Sequence, residues 1–427
     1  MGCFFRNSTK TFSRHEFRER NTMAGILTMI LAGGEGTRLQ PLTTTRSKPS
    51  VPFGGSYRLI DFVLNNFVNA DFLRIYVLTQ FKSQSLYLHM KKGWNIVGIT
   101  DRFIDPIPAQ MRMGKRWYDG TADAIYQNLR FIEISDPEHV CIFGSDHIYK
   151  MDVSQMVSFH KQKAAALTVA ALRMPIEEAS AFGVIEVDQE GRMIGFEEKP
   201  RHPKHIPGDP TQALVSMGNY IFETEALYRE LKRDAAEENS SHDFGKDIIP
   251  SLFPRAPVYV YDYSTNVIPG EKPNVYWRDV GTLDAYWQAH MDLVADDAPF
   301  SLYNRKWPLH THYPPLPPAT FIDTDDCKVK IANSLISGGC FIQGSQIQRS
   351  ILGFRCNIGP CSHISESVLL GDVKIGEGCS IRRAIIDKNV EIAPGTVIGE
   401  NLDHDRERFT VSEGGIVVVP KGARVGY

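Results

Sequence analysis

A short apolar segment followed at once by three glycines is the most constraining feature of this sequence. Residues Ile26 to Ala32 have the length and the β-branched character of a buried strand. Gly33, Gly34 and Gly36 follow, and backbone N–H groups in such a loop can approach a ligand closely because no Cβ stands in the way. Three cationic side chains come next, namely Arg38, Arg46 and Lys48. Strand, glycine loop and cations together predict a cradle for a polyphosphate.

The spacing within this loop separates it from two common phosphate-binding motifs. A Walker loop requires G-x-x-x-x-G-K-[ST], and no lysine stands at that position. A dinucleotide fingerprint requires G-x-G-x-x-G, and the third glycine is replaced by Leu39. The sequence instead reads G-G-x-G-T-R-L, with the dipeptide Lys48-Pro49 in the loop that follows.

Length and composition favour a globular protein of two domains. A chain of 427 residues is too long for one hydrophobic core. The formal net charge is -3 and no region is strongly basic, which argues against nucleic acid as a partner. No apolar run approaches the length that spans a membrane.

Residues 1–22 are predicted to be a disordered tail or to lie upstream of a true start at Met23. They carry five basic and two acidic residues but no hydrophobic stretch, so a secretory signal is not expected. Met1-Gly2-Cys3 resembles the start of a lipidation motif, but that motif requires Ser or Thr at the position of Arg6.

The seven cysteines predict small buried side chains rather than a disulfide framework or a zinc site. Their number is odd and no C-x-x-C pair occurs, which fits a reducing compartment. They are Cys3, Cys141, Cys327, Cys340, Cys356, Cys361 and Cys379.

Residues 23–298 alternate apolar runs with helical patterns and are predicted to form the catalytic domain. Strands are expected at Leu73 to Leu78, Val140 to Phe143 and Leu167 to Leu172, and a helix at Ser154 to Ala165. Strands separated by helices indicate a parallel sheet that binds ligands at the carboxyl ends of its strands.

Residues 299–320 are predicted to be a linker, and residues 321–427 a parallel β-helix. The linker contains six prolines, too many for a helix or a central strand. Beyond it, Ile358, Ile364 and Leu370 recur every six residues, with occasional five-residue steps, and glycines fill the gaps. One inward aliphatic residue per short strand is typical of a hexapeptide-repeat solenoid.

Two aspartates are candidate ligands for Mg²⁺, which prefers carboxylate and phosphate oxygens. Asp146 follows a predicted strand, and Asp279 stands in the loop before a helix expected to begin near Thr282. Each aspartate could instead cap a turn or a helix. His147, beside Asp146, is interpreted as a packing residue rather than a ligand.

Several long segments in the same order resemble the bacterial ADP-glucose pyrophosphorylases (glucose-1-phosphate adenylyltransferases). They are GGEGTRLQPLTTTRSKP, WYDGTADAIYQN, SDHIYK, ASAFGVIEV, EEKP, SMGNYIF, SSHDFGKDIIP and YWRDVGTLDAYWQAHMDL. The resemblance runs from about Ile26 to the C-terminus. It implies an α/β fold in which a Rossmann-like, mostly parallel sheet precedes a C-terminal left-handed parallel β-helix. It also implies synthesis of ADP-glucose, the donor for glycogen, from ATP and glucose 1-phosphate with Mg²⁺.

The resemblance assigns roles to individual positions. The implied catalytic residues are Arg38, Lys48, Asp146 and Asp279, of which the two aspartates hold the metal. The implied ATP-binding residues are Gly33, Gly34, Gly36, Thr37, Gln80 and Gly120. Contacts to glucose 1-phosphate are implied for Tyr118, Gly183, Glu198, Lys199 and Ser216. Gln80 and Trp117 match positions that relay a regulatory signal.

Regulation by small anionic metabolites, a homotetramer and a cytoplasmic location are further implications of the resemblance. The matching allosteric residues are Arg46, Arg58, Arg382, Arg383 and Lys421. Thr45, Pro52 and Ile134 depart from the best-known enteric pattern, so the identity of the effectors does not carry over. These arginines could alternatively pair with acids where the two domains meet.

Three other functions are compatible with parts of the sequence. Hexapeptide β-helices often belong to acyltransferases, but His363 is the only histidine between Asp326 and Ile398 and has no recognisable partner. A non-catalytic regulatory subunit would keep the fold and lose the charged residues that are all present here. A uridylyl- or thymidylyltransferase would differ from an adenylyltransferase in loop shape, which the sequence leaves open.

Overall fold

The computed structural model describes residues 25–96, 101–110 and 117–426. The prediction for residues 1–22, with the choice between Met1 and Met23 and the status of Cys3, lies outside these ranges. The strands of the N-terminal region are Ile26–Ala32 (β1), Pro52–Phe53 (β2), Tyr57–Arg58 (β3), Arg74–Thr79 (β4), Phe103–Pro108 (β5), His139–Gly144 (β6), His147–Tyr149 (β7), Leu167–Pro175 (β8), Gly183–Val187 (β9), Met193–Glu198 (β10), Gln212–Glu223 (β11), Val258–Asp262 (β12) and Trp277–Asp279 (β13).

The α-helices are Leu59–Asn69 (α1), Gln84–Gly93 (α2), Thr121–Tyr126 (α3), Leu129–Ser135 (α4), Val153–Gln162 (α5), Thr224–Ala235 (α6), Ile249–Leu252 (α7), Leu283–Leu293 (α8) and Leu402–Arg408 (α9). Single turns of 3₁₀-helix occupy Thr37–Leu39, Lys48–Ser50, Ala179–Ala181 and Tyr263–Thr265, and a π-helix spans Phe244–Ile248. Among the helices of the described ranges, none is long and apolar enough to cross a membrane.

A nine-stranded sheet forms the centre of the N-terminal region. Its main order is β10-β9-β11-β6-β1-β4-β5, and β8 pairs with both β11 and β12. Strands β6, β1, β4 and β5 run parallel, as the alternation of strands and helices predicts. The pairs of β11 with β6, β8 and β9 are antiparallel, so the sheet is mixed beyond β6.

Strand β1 lies in the middle of the sheet because both of its faces are apolar. Ile30 packs in one hydrophobic cluster with Phe67 and Phe143, and Met29 packs in a second cluster on the other face with Ile142. Helices cover both faces, so the parallel strands read as continuous hydrophobic runs. This arrangement brings the carboxyl ends of β1, β4 and β6 to one edge.

The C-terminal region is a parallel β-helix, confirming the prediction from the hexapeptide period. Its strands are Thr320–Ile322, Lys330–Ala332, Leu335–Ile336, Phe341–Gln343, Gln346–Gln348, Ile351–Leu352, Asn357–Ile358, His363–Ser365, Val368–Leu369, Lys374–Ile375, Ser380–Arg382, Ala384–Ile386, Glu391–Ile392, Val397–Ile398, Thr410–Val411, Val417–Val419 and Arg424–Val425. They form three sheets whose parallel ladders are consistent with a left-handed coil.

One inward position of the β-helix was predicted wrongly. Ile358, Ile375 and Ile392 stack in register, and equivalent serines follow one another at a spacing of 17 residues. A coil of 17 residues needs two six-residue steps and one five-residue step, so the short step is regular. Leu369 therefore fills the interior, whereas Leu370 packs in the cluster shared with the catalytic domain.

Helix α8 joins the two regions. Trp287 packs against Ile385 and Val418 of the β-helix, and its indole Nε1 donates a 2.8 Å hydrogen bond to the carbonyl of Glu366. The proline-rich segment is tied to α1, since Asn65 Nδ2 donates to the carbonyl of His310 at 2.8 Å.

The prediction of unpaired cysteines is wrong for one pair. Cys327 and Cys361 form a disulfide with a Cα–Cα distance of 5.5 Å. A Cβ at Gly344 would stand 2.7 Å from the carbonyl oxygen of Cys327, and the Gly344 carbonyl accepts a 3.0 Å hydrogen bond from Cys361 N, so the chain at Gly344 runs beside both cysteines. Cys141, Cys340, Cys356 and Cys379 are free and buried, as predicted.

Candidate active site

A cavity of about 690 Å³ opens at the carboxyl edge of the parallel strands. This is where a parallel sheet is expected to bind ligands. The predicted residues that line it are Gly33, Gly34, Gly36, Thr37, Arg38, Lys48, Gln80, Tyr118, Gly120, Asp146 and Glu198. The sequence therefore brings residues from six separate segments to a single cavity.

The glycine loop follows β1 directly and forms one wall of this cavity. Gly36 has φ 66°, in the left-handed region, and a Cβ there would lie 3.0 Å from Lys48 Cβ, so only glycine fits without strain. The hydroxyl of Thr43 donates a 2.8 Å hydrogen bond to the carbonyl of Gly36 and fixes the turn. A Cβ at Gly34 would meet nothing within 4 Å, because that position faces open space.

Lys48 connects the two predicted metal ligands. Its Nζ lies 2.8 Å from Asp146 Oδ2 and 3.3 Å from Asp279 Oδ1. Strands β7 and β13 pair antiparallel with Asp279 opposite His147, which places the two aspartates side by side although they are far apart in sequence. Asp279 contacts Lys48 but does not itself line this cavity; it is part of the lining of a separate cavity. Arg38 Nη2 would lie 3.4 Å from a Cβ at Gly281.

The charges of these groups stabilise one another. Burial alone would lower the pKa of Lys48, but Asp146 and Asp279 outweigh it and the net pKa is raised. Loss of water would raise the pKa of Asp146, but Lys48, with His147 beside it, holds that pKa well below its usual range. Lys48 and Asp146 are therefore both charged at neutral pH.

The aspartates suit a hard divalent cation. Ligand atoms of Asp146, Asp279 and His147 can lie within 4.8 Å of one another. Two carboxylates beside a phosphate cradle are the donor set that Mg²⁺ takes in phosphoryl-transfer sites, so these residues fit that ion. The ring of His147 also packs 4.8 Å from the ring of Trp277, as its interpretation as a packing residue requires.

Glu198 marks the end of the cavity opposite the glycine loop. A Cβ at Gly183 and a Cβ at Gly245 would each lie 2.9 Å from Glu198 Oε2, so two glycines make room for this carboxylate. Lys199 Nζ stands 3.5 Å from Glu198 Oε1, and its side chain is 62% exposed. Ser216 lies on β11 and its hydroxyl accepts a hydrogen bond from Gly218 N at 3.2 Å.

Gln80 couples the end of β4 to the segment that carries Trp117 and Tyr118. Its Oε1 accepts a 2.8 Å hydrogen bond from the backbone N–H of Tyr118. The phenol oxygen of Tyr118 accepts one from Asn128 at 2.9 Å. The side chain of Trp117 is 45% exposed and lies outside the cavity lining.

The segment SSHDFGKD supplies cavity residues to which sequence reasoning assigned no role. Asp243, Phe244 and Gly245 line the cavity together with Tyr220. Asp243 Oδ2 accepts a 2.9 Å hydrogen bond from Thr121 Oγ1. A Cβ at Gly120 would lie 2.2 Å from the carbonyl oxygen of His242, so this glycine serves the close approach of the two segments.

Two of the predicted allosteric arginines meet at the boundary between the domains. Arg46 forms a buried ion pair with Asp387 of the β-helix. Arg58 donates to Ser85, and burial together with the charge of Arg46 lowers its pKa to about 10 despite Asp61. Burial, then Arg58 and Arg46, lowers the pKa of Lys388 to about 8. Lys388, which the sequence did not single out, therefore completes a partly buried cationic cluster with Arg46 and Arg58.

The other three predicted allosteric residues lie elsewhere on the β-helix. Arg383 stacks on Trp287, with its guanidinium carbon 4.7 Å from the ring centre, and faces a second cavity of about 430 Å³. Arg382 approaches Glu366 at 3.9 Å and Lys421 is exposed.

Comparisons with known proteins agree with this geometry. A nucleotidyl transferase family model matches residues 27–296, and a model described as GlmU-like, C-terminal hexapeptide matches residues 317–419. The glucose-1-phosphate adenylyltransferase of Photobacterium profundum is 74% identical over 405 residues, which cover 95% of this chain and all of that protein. The chain belongs to the glucose-1-phosphate adenylyltransferase family. The enzyme of Vibrio vulnificus named glucose-1-phosphate adenylyltransferase 1 is also 74% identical over 405 residues, again with 95% and 100% coverage.

Membership of the glucose-1-phosphate adenylyltransferase family confirms the predicted resemblance and the predicted class of enzyme, a nucleotidyltransferase. A less similar relative agrees: the glucose-1-phosphate adenylyltransferase of Anaeromyxobacter sp. is 53% identical over 409 residues, which cover 94% of this chain and all of that protein. The fold prediction, a nucleotidyltransferase sheet followed by a hexapeptide β-helix, is likewise confirmed by the two family models and the strand pairing.

Proposed function

We propose that the chain transfers the adenylyl group of ATP to glucose 1-phosphate, giving ADP-glucose and pyrophosphate. The observation that carries this proposal is the contact of Lys48 with both Asp146 and Asp279, because Lys48 and Asp146 line the same cavity as the glycine loop and Glu198. The glycine loop suits a triphosphate, and Glu198 with Lys199 suits a sugar phosphate. The names of the relatives favour ATP over UTP or dTTP.

In this mechanism the chain positions two anions and neutralises their charge. The phosphate of glucose 1-phosphate has a second pKa near about 6, is mostly a dianion at neutral pH and needs no general base. One of its oxygens attacks the α-phosphorus of ATP in line, and pyrophosphate leaves. Arg38 and Lys48 bind the triphosphate, and Lys199 binds the sugar phosphate. Catalysis by position and charge explains why no protein nucleophile is needed.

We assign Asp146 and Asp279 as the residues that would hold Mg²⁺. The ion supplies charge neutralisation at the phosphates when bound. Its requirement can be tested by separating ADP-glucose from ATP on an anion-exchange column after incubation with glucose 1-phosphate. We expect product with Mg²⁺ and none with excess EDTA, and product formation in EDTA would contradict the assignment.

Replacement of Gly34 by alanine should separate ligand binding from folding. A Cβ at this position meets no protein atom within 4 Å, so the free energy of unfolding in urea should stay unchanged. The same Cβ would occupy space in front of the phosphates, and we expect the KM for ATP to rise about tenfold or more, a loss of about 1.4 kcal/mol.

The matched control for this variant is Gly208→Ala, a position where a Cβ also meets nothing within 4 Å but which lies outside the cavity lining. Because Gly208 has φ 87°, this control should lose some stability and keep the KM for ATP. An unchanged KM in Gly34→Ala would remove this loop from the phosphate site.

Anionic regulation is proposed to act through Arg46, Arg58 and Lys388. One buried and two partly buried cations form this cluster. Asp387 pairs with Arg46, and the other nearby carboxylates, Asp61 and Asp372, are bonded to other side chains as well, so the cations retain positive charge that an anion can neutralise. The cluster joins the β-helix to the loop that carries both Arg46 and Lys48, so an anion bound there would act on a segment of the catalytic cavity. The homotetramer and the cytoplasmic location are further proposals that rest on the family alone.

The binding of an anion to this cluster should weaken between pH 7 and pH 9. The pKa of Lys388 is lowered to about 8, so Lys388 is charged at pH 7 and mostly neutral at pH 9. Because the pKa of Lys388 in the folded chain is lower than its ordinary value of 10.5, the free energy of unfolding decreases as the pH falls from 10.5, and the full decrease is reached below about pH 8. A bound anion offsets this loss of stability.

Sulfate is a suitable probe because it does not titrate in this range. We expect sulfate to raise the Tm at pH 7 by several degrees more than at pH 9. Lys388→Met should abolish the difference in Tm rise between the two pH values. Lys374→Met is the control and should keep the difference, because Lys374 is exposed and pairs with Glu391 instead. An equal sulfate effect at both pH values would argue against this cluster as the anion site.

A further inference from the structure

The ammonium group of Lys48 lies where the two carboxylates of the proposed metal site face each other. It contacts Asp146 Oδ2 at 2.8 Å and Asp279 Oδ1 at 3.3 Å, and only 10% of its side chain is exposed. One cation therefore already pairs with both acids and offsets half of their charge. The inference drawn from this contact rests on the proposed function, because it concerns the carboxylates assigned to Mg²⁺.

A divalent cation and the Lys48 ammonium compete for the same oxygens. Each is attracted to the carboxylates, and they repel each other at short distance in a site with little water. Leaving either charge without a partner is costly as well. The ammonium can give up the carboxylates at low cost only when another anion is ready to receive it.

The backbone of Lys48 is fixed and its side chain is the part that can move. Lys48 starts a 3₁₀ turn with Pro49, and Val51 N donates to the carbonyl of Lys48 at 3.0 Å. Four methylene groups carry the ammonium. The glycine loop that would hold the triphosphate passes close to Lys48, since a Cβ added at Gly36 would lie 3.0 Å from Lys48 Cβ. A nucleotide phosphate in the cavity is thus within the range of motion of this side chain.

We propose that Lys48 is an exchangeable counter-cation: it pairs with Asp146 and Asp279 until a nucleotide phosphate receives its ammonium, so that the divalent cation binds together with the nucleotide and not ahead of it. Binding of metal and of nucleotide are then positively coupled through one side chain, and the coupling is reciprocal. This gives Lys48 a role in the order of binding in addition to its contact with phosphate.

The test is a titration with Mn²⁺ in the absence of nucleotide, following free Mn²⁺ by electron paramagnetic resonance. Lys48→Met removes the competing charge and keeps the length of the side chain. We expect it to bind Mn²⁺ at least tenfold more tightly than the unmodified protein. Lys199→Met, a lysine paired with Glu198 instead, should bind Mn²⁺ like the unmodified protein. Equal or weaker binding by Lys48→Met would overturn the proposal.

A second variant and a second measurement separate this inference from the proposed metal site. With ATP present, Asp146→Asn should show a smaller rise of Tm on addition of Mn²⁺ than the unmodified protein; an equal rise would show that the metal assignment itself is wrong. If Asp146→Asn shows the smaller rise and Lys48→Met binds Mn²⁺ no more tightly, only the role of Lys48 is wrong. If Lys48→Met folds poorly, Lys48→Gln takes its place, and the rise of Tm with Mn²⁺ replaces the titration. We expect the rise of Tm to be larger in Lys48→Gln than in the unmodified protein.

Discussion

Replacement of Asp146 by asparagine is expected to reduce kcat at least about a thousandfold, a loss of about 4 kcal/mol in transition-state stabilisation. The change removes one of two carboxylates that face Lys48 and leaves a neutral amide of the same shape. Two anions must meet in the reaction, and the variant lacks half of the charge that would hold the neutralising cation. Turnover at saturating substrates and Mg²⁺ measures the effect.

The fold of the Asp146→Asn variant should remain intact, which circular dichroism and urea unfolding can verify. Asp188→Asn is the control, because Asp188 is exposed in a turn away from the cavity and should keep full turnover. Near-normal turnover of Asp146→Asn at saturating Mg²⁺ would show that this aspartate only caps a turn.

Replacement of Lys199 by alanine is expected to raise the KM for glucose 1-phosphate by one to two orders of magnitude. A hydrogen bond to a charged group contributes about 1.5–3 kcal/mol, and each 1.4 kcal/mol corresponds to about tenfold. Because the contact is to a phosphate that is charged before and during the reaction, kcat should change less than KM. Initial rates over a range of glucose 1-phosphate concentrations separate the two constants.

Lys204→Ala is a closely matched control for Lys199→Ala. Both side chains are 62% exposed and each lies near a glutamate, Glu198 for Lys199 and Glu186 for Lys204. Neither lysine lines the cavity, but the partner of Lys199, Glu198, does, whereas the partner of Lys204, Glu186, does not, so loss of Lys204 should leave the KM unchanged. If the two variants behave alike, Lys199 has no special contact with the sugar phosphate.

The parts of the molecule that follow local rules could be predicted from the sequence. The apolar run before the glycine loop is β1, and the helix expected near Thr282 begins there because the Thr282 hydroxyl accepts a hydrogen bond from Ala285 N. The β-helix could be recognised because its aliphatic residues repeat along the chain. Which leucine faces inward, Leu369 or Leu370, depended on the 17-residue coil, which became apparent only when neighbouring coils were aligned.

The parts that depend on distant segments could not be predicted from residue patterns. Asp243 reaches the cavity because Thr121 holds it, and Lys388 becomes an anion-binding candidate only when folding buries it beside Arg46 and Arg58. The disulfide joins Cys327 to Cys361, 34 residues later, and only the coiling of the chain brings the two together. For Asp146 and Asp279, the sequence supplied the residue types, and the pairing of β7 with β13 supplied their proximity.

The most direct test of the proposed reaction is the release of pyrophosphate by the purified protein. Glucose 1-phosphate and Mg²⁺ would be supplied with ATP, UTP, dTTP, CTP or GTP, each with and without a panel of glycolytic phosphates and pyruvate. We predict a strong preference for ATP, increased by at least one of the metabolites. Preference for another nucleotide, or no release with any of them, would contradict the assignment as an adenylyltransferase.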